Sequence, residues 1–179
     1  PSIGYQTIDF KPVFNQTYIP NQLINGQFDF GIDYYHESNP YDTFQTTFHV
    51  DNDVLKSNLE GDDGIGLMRS SLFELNGVGV ISLEIAAAQG ERFDKNTYVS
   101  IRLFSTNEEI YRFANERHQG VEFVTYFIDL ESYIGETIYF EFVDNAQGSY
   151  GTIFIRNITT YYQTLDAYDY ALVAENLNE

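Results

Sequence analysis

Short stretches of apolar residues, each about the length of a β-strand, recur along this chain. Four of them alternate or run apolar with many β-branched and aromatic side chains, and Gly, Asn, Asp or Ser bound them. No segment of the central region Leu67–Tyr162 combines helical length with a period of 3.6 residues. The pattern therefore predicts an all-β fold, an antiparallel β-sandwich. The four predicted strands are Val78–Ile85, Tyr98–Phe104, Thr137–Val143 and Thr152–Ile158.

The residues around these strands predict turns, loops and one further strand. Asn25-Gly26 is a strong turn dipeptide, and Phe44–Val50 alternates as a strand should. Asp51–Gly66 is polar and acidic and predicts a loop. Asp129–Tyr133 predicts one short helical turn with Asp129 as its cap, and Asn145–Tyr150 predicts a hairpin-like loop.

The clarity of the strand pattern divides the chain into three segments. Residues 1–24 are irregular and predict a lead-in, residues 25–163 predict the β-sandwich, and residues 164–179 predict an acidic tail or linker. The chain begins at Pro1 rather than Met. We therefore expect a domain cut from a larger protein, with neighbouring domains as partners.

Composition supports a folded domain with an aromatic core. The hydrophobic fraction of 43% and the aromatic fraction of 17% are too high for a disordered chain. With 15 Phe, 15 Tyr and no Trp, the core is expected to be built on Phe, with Tyr at its margins where the hydroxyl reaches water. The absence of cysteine excludes disulfides, zinc-thiolate sites and thiol nucleophiles.

The formal net charge of −18 limits the partners that this chain can bind. It would repel phosphate backbones, so we expect no nucleic-acid binding. It leaves two interpretations open: solubility outside the cell, or a cationic ligand such as Ca²⁺. No apolar run is long enough to span a membrane, so no membrane insertion is expected.

Four motifs carry a family resemblance: NGQFDFG (Asn25–Gly31), GLMRSSLFELNGVGVISLEI (Gly66–Ile85), DLESYIGETIYFEFVDN (Asp129–Asn145) and GSYGTIFIRNI (Gly148–Ile158). Together they resemble the galactose-binding-like β-sandwich family, in its branch of carbohydrate-binding modules attached to bacterial levanases and other secreted glycosidases. The resemblance implies a jelly roll over about Asn25 to Tyr162. It also implies that the turn glycines and the apolar residues between them are scaffold. The scaffold glycines are Gly77, Gly79 and Gly135, and the expected core residues are Phe73, Leu75, Ile81 and Ile138.

Acidic residues supply the first candidates for sugar binding. Asp62 and Asp63 lie in the loop before the Gly66–Ile85 motif, where the resembled family often carries acids. Carboxylates suit sugars because they accept strong hydrogen bonds from adjacent hydroxyls. Asp144 ends an apolar strand beside a loop, at the rim where we expect ligands to bind. The alternatives are a solvated acidic loop for the first two and a turn-forming Asp for Asp144.

Other candidates are aromatic, basic or amide side chains. Tyr150 stands where the family has a Trp and could stack on a sugar ring; the alternative is a Tyr at the edge of the core. Four arginines are notable because the chain has nine basic residues, and a guanidinium can bind vicinal hydroxyls or pair with an acid: Arg69, Arg102, Arg112 and Arg156. Asn115 stands where relatives tend to keep an Asn.

Metal and catalytic sites have weaker support in the sequence. The family often binds a structural Ca²⁺ through an acid in the closing motif, but Arg156 and Asn157 occupy those positions. A possible Ca²⁺ site remains around Asn25–Asp29, with Asp29 as its candidate ligand. The three histidines are far apart and no hydrolase motif is present, so no catalytic residue is predicted.

We therefore expect a non-catalytic carbohydrate-binding module of a secreted or cell-surface bacterial protein. The suspected partner is a glycan of the fructan or galactose type, bound at a rim of acids, Arg and Tyr. A second hypothesis is a structural or docking module of a glycosidase or adhesin without its own ligand site. A third, a stand-alone hydrolase, would need two carboxylates at catalytic separation.

Overall fold

The computed structural model describes residues 23–37, 47–59, 61–87, 96–114, 122–148, 151–160 and 162. The described residues form two antiparallel β-sheets without an α-helix, so the predicted β-sandwich is confirmed. Residues 1–22 of the predicted lead-in and the tail at 164–179 lie outside the described residues. No described helix is long and apolar enough to cross a membrane.

The larger sheet, here called sheet A, has β10 at its centre. Its strands are β1 (His36–Glu37), β4 (Gly66–Arg69), β5 (Phe73–Glu74), β7 (Thr97–Leu103), β8 (Glu109–Phe113) and β10 (Thr137–Asp144). Their order is β1-β4-β10-β7-β8, and the short β5 pairs with the start of β10.

The smaller sheet, here called sheet B, covers the other side of the core. Its strands are β2 (His49–Asp51), β3 (Val54–Lys56), β6 (Val80–Ala87), β9 (Val124–Asp129) and β11 (Ile153–Thr159). Their order is β2-β3-β11-β6-β9. From β6 onwards the chain passes repeatedly between the two sheets, so strands that follow one another in sequence pack against the same core from opposite sides.

The four strands that the apolar pattern predicts are present as β6, β7, β10 and β11, with ends shifted by at most two residues. Asp129–Tyr133 contains the predicted helical turn, a 3-10 turn at Glu131–Tyr133. The predicted cap is wrong by one residue, because Leu130 is the N-cap of this turn and makes no side-chain cap hydrogen bond. The Asp129 carboxylate, one residue earlier, accepts a hydrogen bond from the Glu131 N–H at 2.9 Å. The end of the predicted strand Phe44–Val50 overlaps β2, and its residues 44–46 lie outside the described part.

Two loop predictions are wrong. Asp51–Gly66 contains β3, whose Val54 and Leu55 are buried because β3 pairs with β2 on one side and with β11 on the other. Asn145–Tyr150 is not a hairpin-like loop, because it joins β10 in sheet A to β11 in sheet B.

Phenylalanine rings form the centre of the core, as composition predicts. Phe140 stacks on both Phe73 and Phe142, with ring centroids 5.6 and 5.8 Å apart. Tyr35 differs from the expectation that Tyr lies at the margin of the core, because it is part of the buried core cluster. Its hydroxyl donates to the Asn25 carbonyl at 3.2 Å. Burial raises the pKa of the Tyr35 phenol. The predicted core residues Phe73, Leu75, Ile81 and Ile138 are all buried.

The scaffold glycines adopt the left-handed backbone that favours glycine. Gly77, Gly79 and Gly135 have φ of +67°, +77° and +89°. Gly79 also lies against the 3-10 turn, where an added Cβ would come within 2.7 Å of the Glu131 Cα. At Gly135 an added Cβ would meet nothing within 4 Å.

These two glycines form a matched pair for a stability measurement. We expect Gly135→Ala to lower the free energy of unfolding by about 1–2 kcal/mol, the cost of left-handed backbone for an L-residue. Gly79→Ala should cost at least about 2 kcal/mol more, because a backbone atom of Glu131 must also move. Chemical denaturation of both variants tests this, and equal losses would contradict the close approach at Gly79.

Candidate functional site

The outer face of sheet A carries the candidate site, and the alternation of β10 determines which residues line it. The buried rings of Phe140 and Phe142 point into the core, so Tyr139 and Glu141 point outward. Register then brings two arginines onto the same face: Arg69 of β4 lies opposite Glu141, and Arg102 of β7 lies opposite Tyr139.

Glu141 pairs with both of these arginines beneath the surface. Its side chain is 6% exposed, and its Oε2 accepts a hydrogen bond from Arg69 Nε at 2.9 Å. Arg102 Nε lies 2.9 Å from Glu141 Oε1 without forming a hydrogen bond to it, so this contact is an ion pair. One carboxylate is thus shared by two cations.

The network of ion pairs continues across β7 to the edge strand β8. Glu109 accepts hydrogen bonds from Arg112 at 2.9–3.0 Å and from Ser100 at 2.5 Å, and Arg102 Nη1 lies 3.8 Å away. Burial acts to raise the pKa of Glu109, but these hydrogen bonds and the nearby Arg charges outweigh it and lower the pKa. Glu109 is therefore an ionised anchor between the two arginines.

Two tyrosine rings lie under this network. The Arg112 guanidinium is 3.9 Å from the centroid of the Tyr98 ring, and the Arg69 guanidinium is 5.7 Å from that of Tyr139. Both distances are within cation–π range. Three of the nine basic residues of a chain with net charge −18 are therefore concentrated on one sheet face.

A cavity of about 440 Å³ opens at the Arg69 end of this network, within the usual range of ligand pockets, about 300–1,000 Å³. Phe104 and Leu72 in its walls are 59% and 46% exposed, whereas Tyr139 is 6% exposed. The Tyr139 hydroxyl donates to Asn107 Oδ1, which ties β10 to the turn between β7 and β8. We call this the sheet A cavity; it is lined by His36, Arg69, Leu72, Phe104, Asn107 and Tyr139.

Of the predicted ligand-binding residues that the structure describes, only Arg69 lines the sheet A cavity. Sequence reasoning missed its other five residues. Tyr139 could have been found, because it is the outward residue between Ile138 and Phe140. The remaining four come from separate strand ends and turns.

Asp144 corrects the expectation of an exposed rim residue. It follows the inward positions of β10, and the residue is 0% exposed. Its Oδ2 accepts from Ser57 Oγ at 2.5 Å, and its Oδ1 accepts from Ala146 N–H at 3.1 Å. Ser57 Oγ in turn accepts from Ile153 N–H at 2.8 Å, so this carboxylate links the two sheets at one end. Burial, together with the nearby charge of Asp62, raises the pKa of Asp144 to about 7 despite these hydrogen bonds.

Asp62 and Asp63 lie beside this buried carboxylate on an exposed 3-10 turn at Gly61–Asp63. Asp63 Oδ1 accepts a hydrogen bond from Gly148 N–H at 2.9 Å. The fold therefore brings the three predicted acids to one end of the sandwich, with Asp144 inside and the other two at the surface. Their sugar-binding role stays a prediction.

The other predicted residues are elsewhere. Arg156 lies on the outer face of sheet B, where it donates to Glu84 at 2.9 Å and lies 3.9 Å from the centroid of the Phe123 ring. Asn115 and Tyr150 lie outside the described residues. The fold thus separates Arg69 from Arg156 by the full thickness of the sandwich.

The turn proposed for Ca²⁺ is held together by an amide instead. Asn25 Nδ2 donates to the carbonyls of Gly31 and Asp33 at 3.0 and 2.9 Å, and Asn25 Oδ1 accepts from Phe30 N–H. Those carbonyls are therefore already bonded, and Asp29 is exposed. Within the described ranges, no group of three or more His, Asp or Glu could hold a metal ion. The Ca²⁺ role of Asp29 stays a prediction.

Comparison with known proteins gives similarities at the level of structure. No family model and no curated protein sequence match the chain. The cleaved adhesin domain of Lys-gingipain from Porphyromonas gingivalis is similar at 10% identity and a TM-score of 0.49, over 78% of this chain and 96% of that domain. A point mutant of a family 29 carbohydrate-binding module is similar at 15% identity and a TM-score of 0.44, over 72% of this chain and 81% of the module.

A third similar structure is the enzymatically active domain of tailspike protein 4 of bacteriophage CBA120. It has 15% identity and a TM-score of 0.44, and the match spans 78% of this chain and 21% of that one. Carbohydrate-binding and adhesin domains are thus among the structures similar to this chain. Because all three TM-scores are below 0.5, we derive the function from the side chains described above.

The buried Asp144 predicts a pH dependence of stability. Its pKa is higher in the folded protein, about 7, than its ordinary value of 3.8, so the folded state holds the proton more tightly. Its contribution is fully present below about pH 4 and is lost as pH rises through 7. We expect the wild type to lose about 2–4 kcal/mol from this group between pH 4 and 8.

Asp144→Asn should remove that part of the slope, measured by urea denaturation across this pH range. Asp33→Asn, which removes an exposed carboxylate, serves as the control for general charge repulsion. Parallel pH profiles for the wild type and Asp144→Asn would contradict the assignment.

Proposed function

We propose that this domain is a non-catalytic carbohydrate-binding module and that the sheet A cavity is its glycan site. The observation that supports this most is the mixture of surfaces in one opening. Exposed apolar walls, Phe104 and Leu72, stand beside polar groups that converge from β1, β4 and the β7–β8 turn. Open clefts with this composition suit ligands that have both apolar and hydrogen-bonding sides.

A sugar ring has both sides. Its C–H face can pack on the exposed Phe104 ring, and its hydroxyls can bond to Arg69 and Asn107 at the cavity edge. Arg69 is already oriented by Glu141, and Asn107 by the Tyr139 hydroxyl. Little side-chain freedom would therefore be lost on binding.

Binding without catalysis is the better fit for this cavity. Glycosidases use a pair of carboxylic residues on either side of the scissile bond. None of the six residues that line the sheet A cavity is acidic. The nearest carboxylate on β10, Glu141, is held in ion pairs beneath Arg69.

The setting of the module follows from the same proposal. We infer that it acts outside the cell or at the cell surface, as an accessory domain beside others of a larger protein. Fructan or galactose-type glycans are the proposed partners. Asp62 and Asp63 at one end of the sandwich, and Arg156 on sheet B, remain proposed secondary contacts.

Removal of the exposed ring is the direct test. Phe104→Ala should weaken glycan binding about tenfold, because one stacking contact contributes about 1.4 kcal/mol. The fold should be unaffected, since Phe104 is 59% exposed and its N–H bond to the Thr137 carbonyl involves only backbone. The measurement is a broad array of neutral and acidic glycans, followed by calorimetry on the strongest binders.

Phe30→Ala is the matched control, because Phe30 is 66% exposed and does not line the cavity. Its affinity should equal that of the wild type. If the wild type binds no glycan on the array, the proposal is overturned and the structural or docking module is favoured. Equal affinity of Phe104→Ala and wild type would move the site away from the sheet A cavity.

A further inference from the structure

Among the described residues that line the sheet A cavity there is no carboxylate, although the protein is rich in them. The chain has 27 Asp and Glu, yet the six lining residues include none. Carboxylates accept hydrogen bonds from sugar hydroxyls, and a site for neutral sugars commonly benefits from such acceptors. This cavity instead presents groups that can donate, from Arg69, Asn107 and His36.

Arg69 is held so that part of its guanidinium is left for a ligand. Its Nε is bonded to Glu141 Oε2, and Glu141 is the one carboxylate with which it pairs among the described residues. The N–H groups on Nη1 and Nη2 are therefore available, and the side chain is 35% exposed at the cavity. Two parallel N–H groups match the two oxygens of a carboxylate.

The ion pairs beneath the cavity do not neutralise it. Arg69 and Arg102 share the single charge of Glu141, so this trio carries a net charge of +1. Glu109 and Arg112 add one charge of each sign to this ion-pair network, so its net charge stays +1. These five residues thus contribute a net charge of +1 beside an apolar-walled cavity, in a protein whose net charge is −18.

Asn107 adds a second donor at the opposite wall. Its Oδ1 receives the Tyr139 hydroxyl, which leaves the amide Nδ2 as the group it can offer to a ligand. Asn107 has φ of +58°, a conformation that Asn tolerates better than most residues, so the turn holds this amide at the cavity. A ligand whose acceptor oxygens lie between Arg69 and Asn107 would therefore meet hydrogen-bond donors on two sides.

We propose that the glycan bound in the sheet A cavity carries a hexuronic acid, whose carboxylate binds the Nη1–Nη2 edge of Arg69. This inference rests on the proposed function and gives it a ligand class. The sugar ring packs on Phe104, as in the proposal above, and the carboxylate selects acidic residues over neutral ones. No covalent step is involved.

The ligand is an isolated uronate rather than a polyanion. Outside the contact region, the net charge of −18 repels dense negative charge. Glu74 also lies on this face, opposite Thr137, and is exposed. A single carboxylate gains the contact with Arg69 and meets little of this repulsion.

Three oligosaccharides that differ in one group provide the test. They are β-1,4-galactotetraose, the same tetrasaccharide with its terminal residue oxidised to galacturonate, and the methyl ester of that acid. We expect the acid to bind wild type at least tenfold more tightly than the ester or the neutral sugar, by calorimetry at low salt. The preference should shrink as NaCl is added.

Variants then assign the preference to one side chain. Arg69→Gln should reduce affinity for the acid at least tenfold, to that of the ester. Lys56→Gln is the matched control: Lys56 also has one carboxylate partner, Asp51, and also lies 5.7 Å from an aromatic centroid, but on sheet B. It removes the same charge and should leave the preference intact.

Arg69→Lys is a second variant, for use if Arg69→Gln is unstable because Glu141 then pairs with Arg102 alone. It keeps the charge but loses the planar fork, so the acid preference should fall to an intermediate value. The comparison of acid with ester on the wild-type protein needs no variant at all.

The outcomes separate this inference from the proposed function. Equal affinity for acid, ester and neutral sugar would overturn the uronate inference and leave the binding module standing. Absence of binding to the acid at millimolar concentration would also overturn it, whatever neutral glycans do on the array. An acid preference that survives Arg69→Gln but is lost in Lys56→Gln would exclude Arg69 as its source.

Discussion

The site depends on the burial of the two phenylalanines of β10. Phe140 and Phe142 stack in the core, and burying each ring contributes about 1.5–3 kcal/mol. A slip of one residue in the pairing of β10 would turn both rings to solvent, so its register against β4 and β7 is strongly determined. The outward positions of Tyr139 and Glu141 follow from that register, and no local preference of their own is needed.

Glu141 then orients the two arginine side chains that the strand register places beside it. A carboxylate that is 6% exposed would be costly without partners, so its two arginines are held close to it. Such buried pairs add little net stability, but they restrict the rotamers of long side chains. Arg69 consequently presents its Nη edge at the cavity before any ligand arrives. The cost of ordering that side chain falls on folding rather than on binding.

The sequence predicted the sandwich because strand signals are local. The alternation in TIYFEFV is complete within one strand, and it already implied that Asp144, two residues beyond Phe142, points inward. Interpreting Asp144 as a rim residue ignored that alternation. The strand β3 was missed because Val54 and Leu55 are the only adjacent apolar residues in an acidic stretch, and their burial depends on β11, far along the chain.

The cavity was beyond local patterns for a similar reason. His36, Leu72 and Asn107 belong to a short edge strand, a connection and a turn, and each is unremarkable by itself. They meet because β4 and β7 pair with opposite sides of β10. Predicting the meeting requires the order of the strands in the sheet, which an apolar pattern does not contain. Arg69 was found because arginine is scarce in this acidic chain.

Charge acts here over two distances, and the two effects oppose each other. At physiological ionic strength, screening limits the field of exposed charges to about 8 Å, so an approaching anion meets the acidic surface first. Within hydrogen-bond distance the dominant charges are those of Arg69 and its neighbours, in a setting where Glu141 and apolar walls reduce the contact with water. Such a surface disfavours polyanions, whose binding depends on long-range electrostatic attraction. It allows binding of a ligand whose shape lets a single carboxylate reach the Arg69 guanidinium. Selectivity of this kind follows from placing a few cations on one sheet face of an acidic protein.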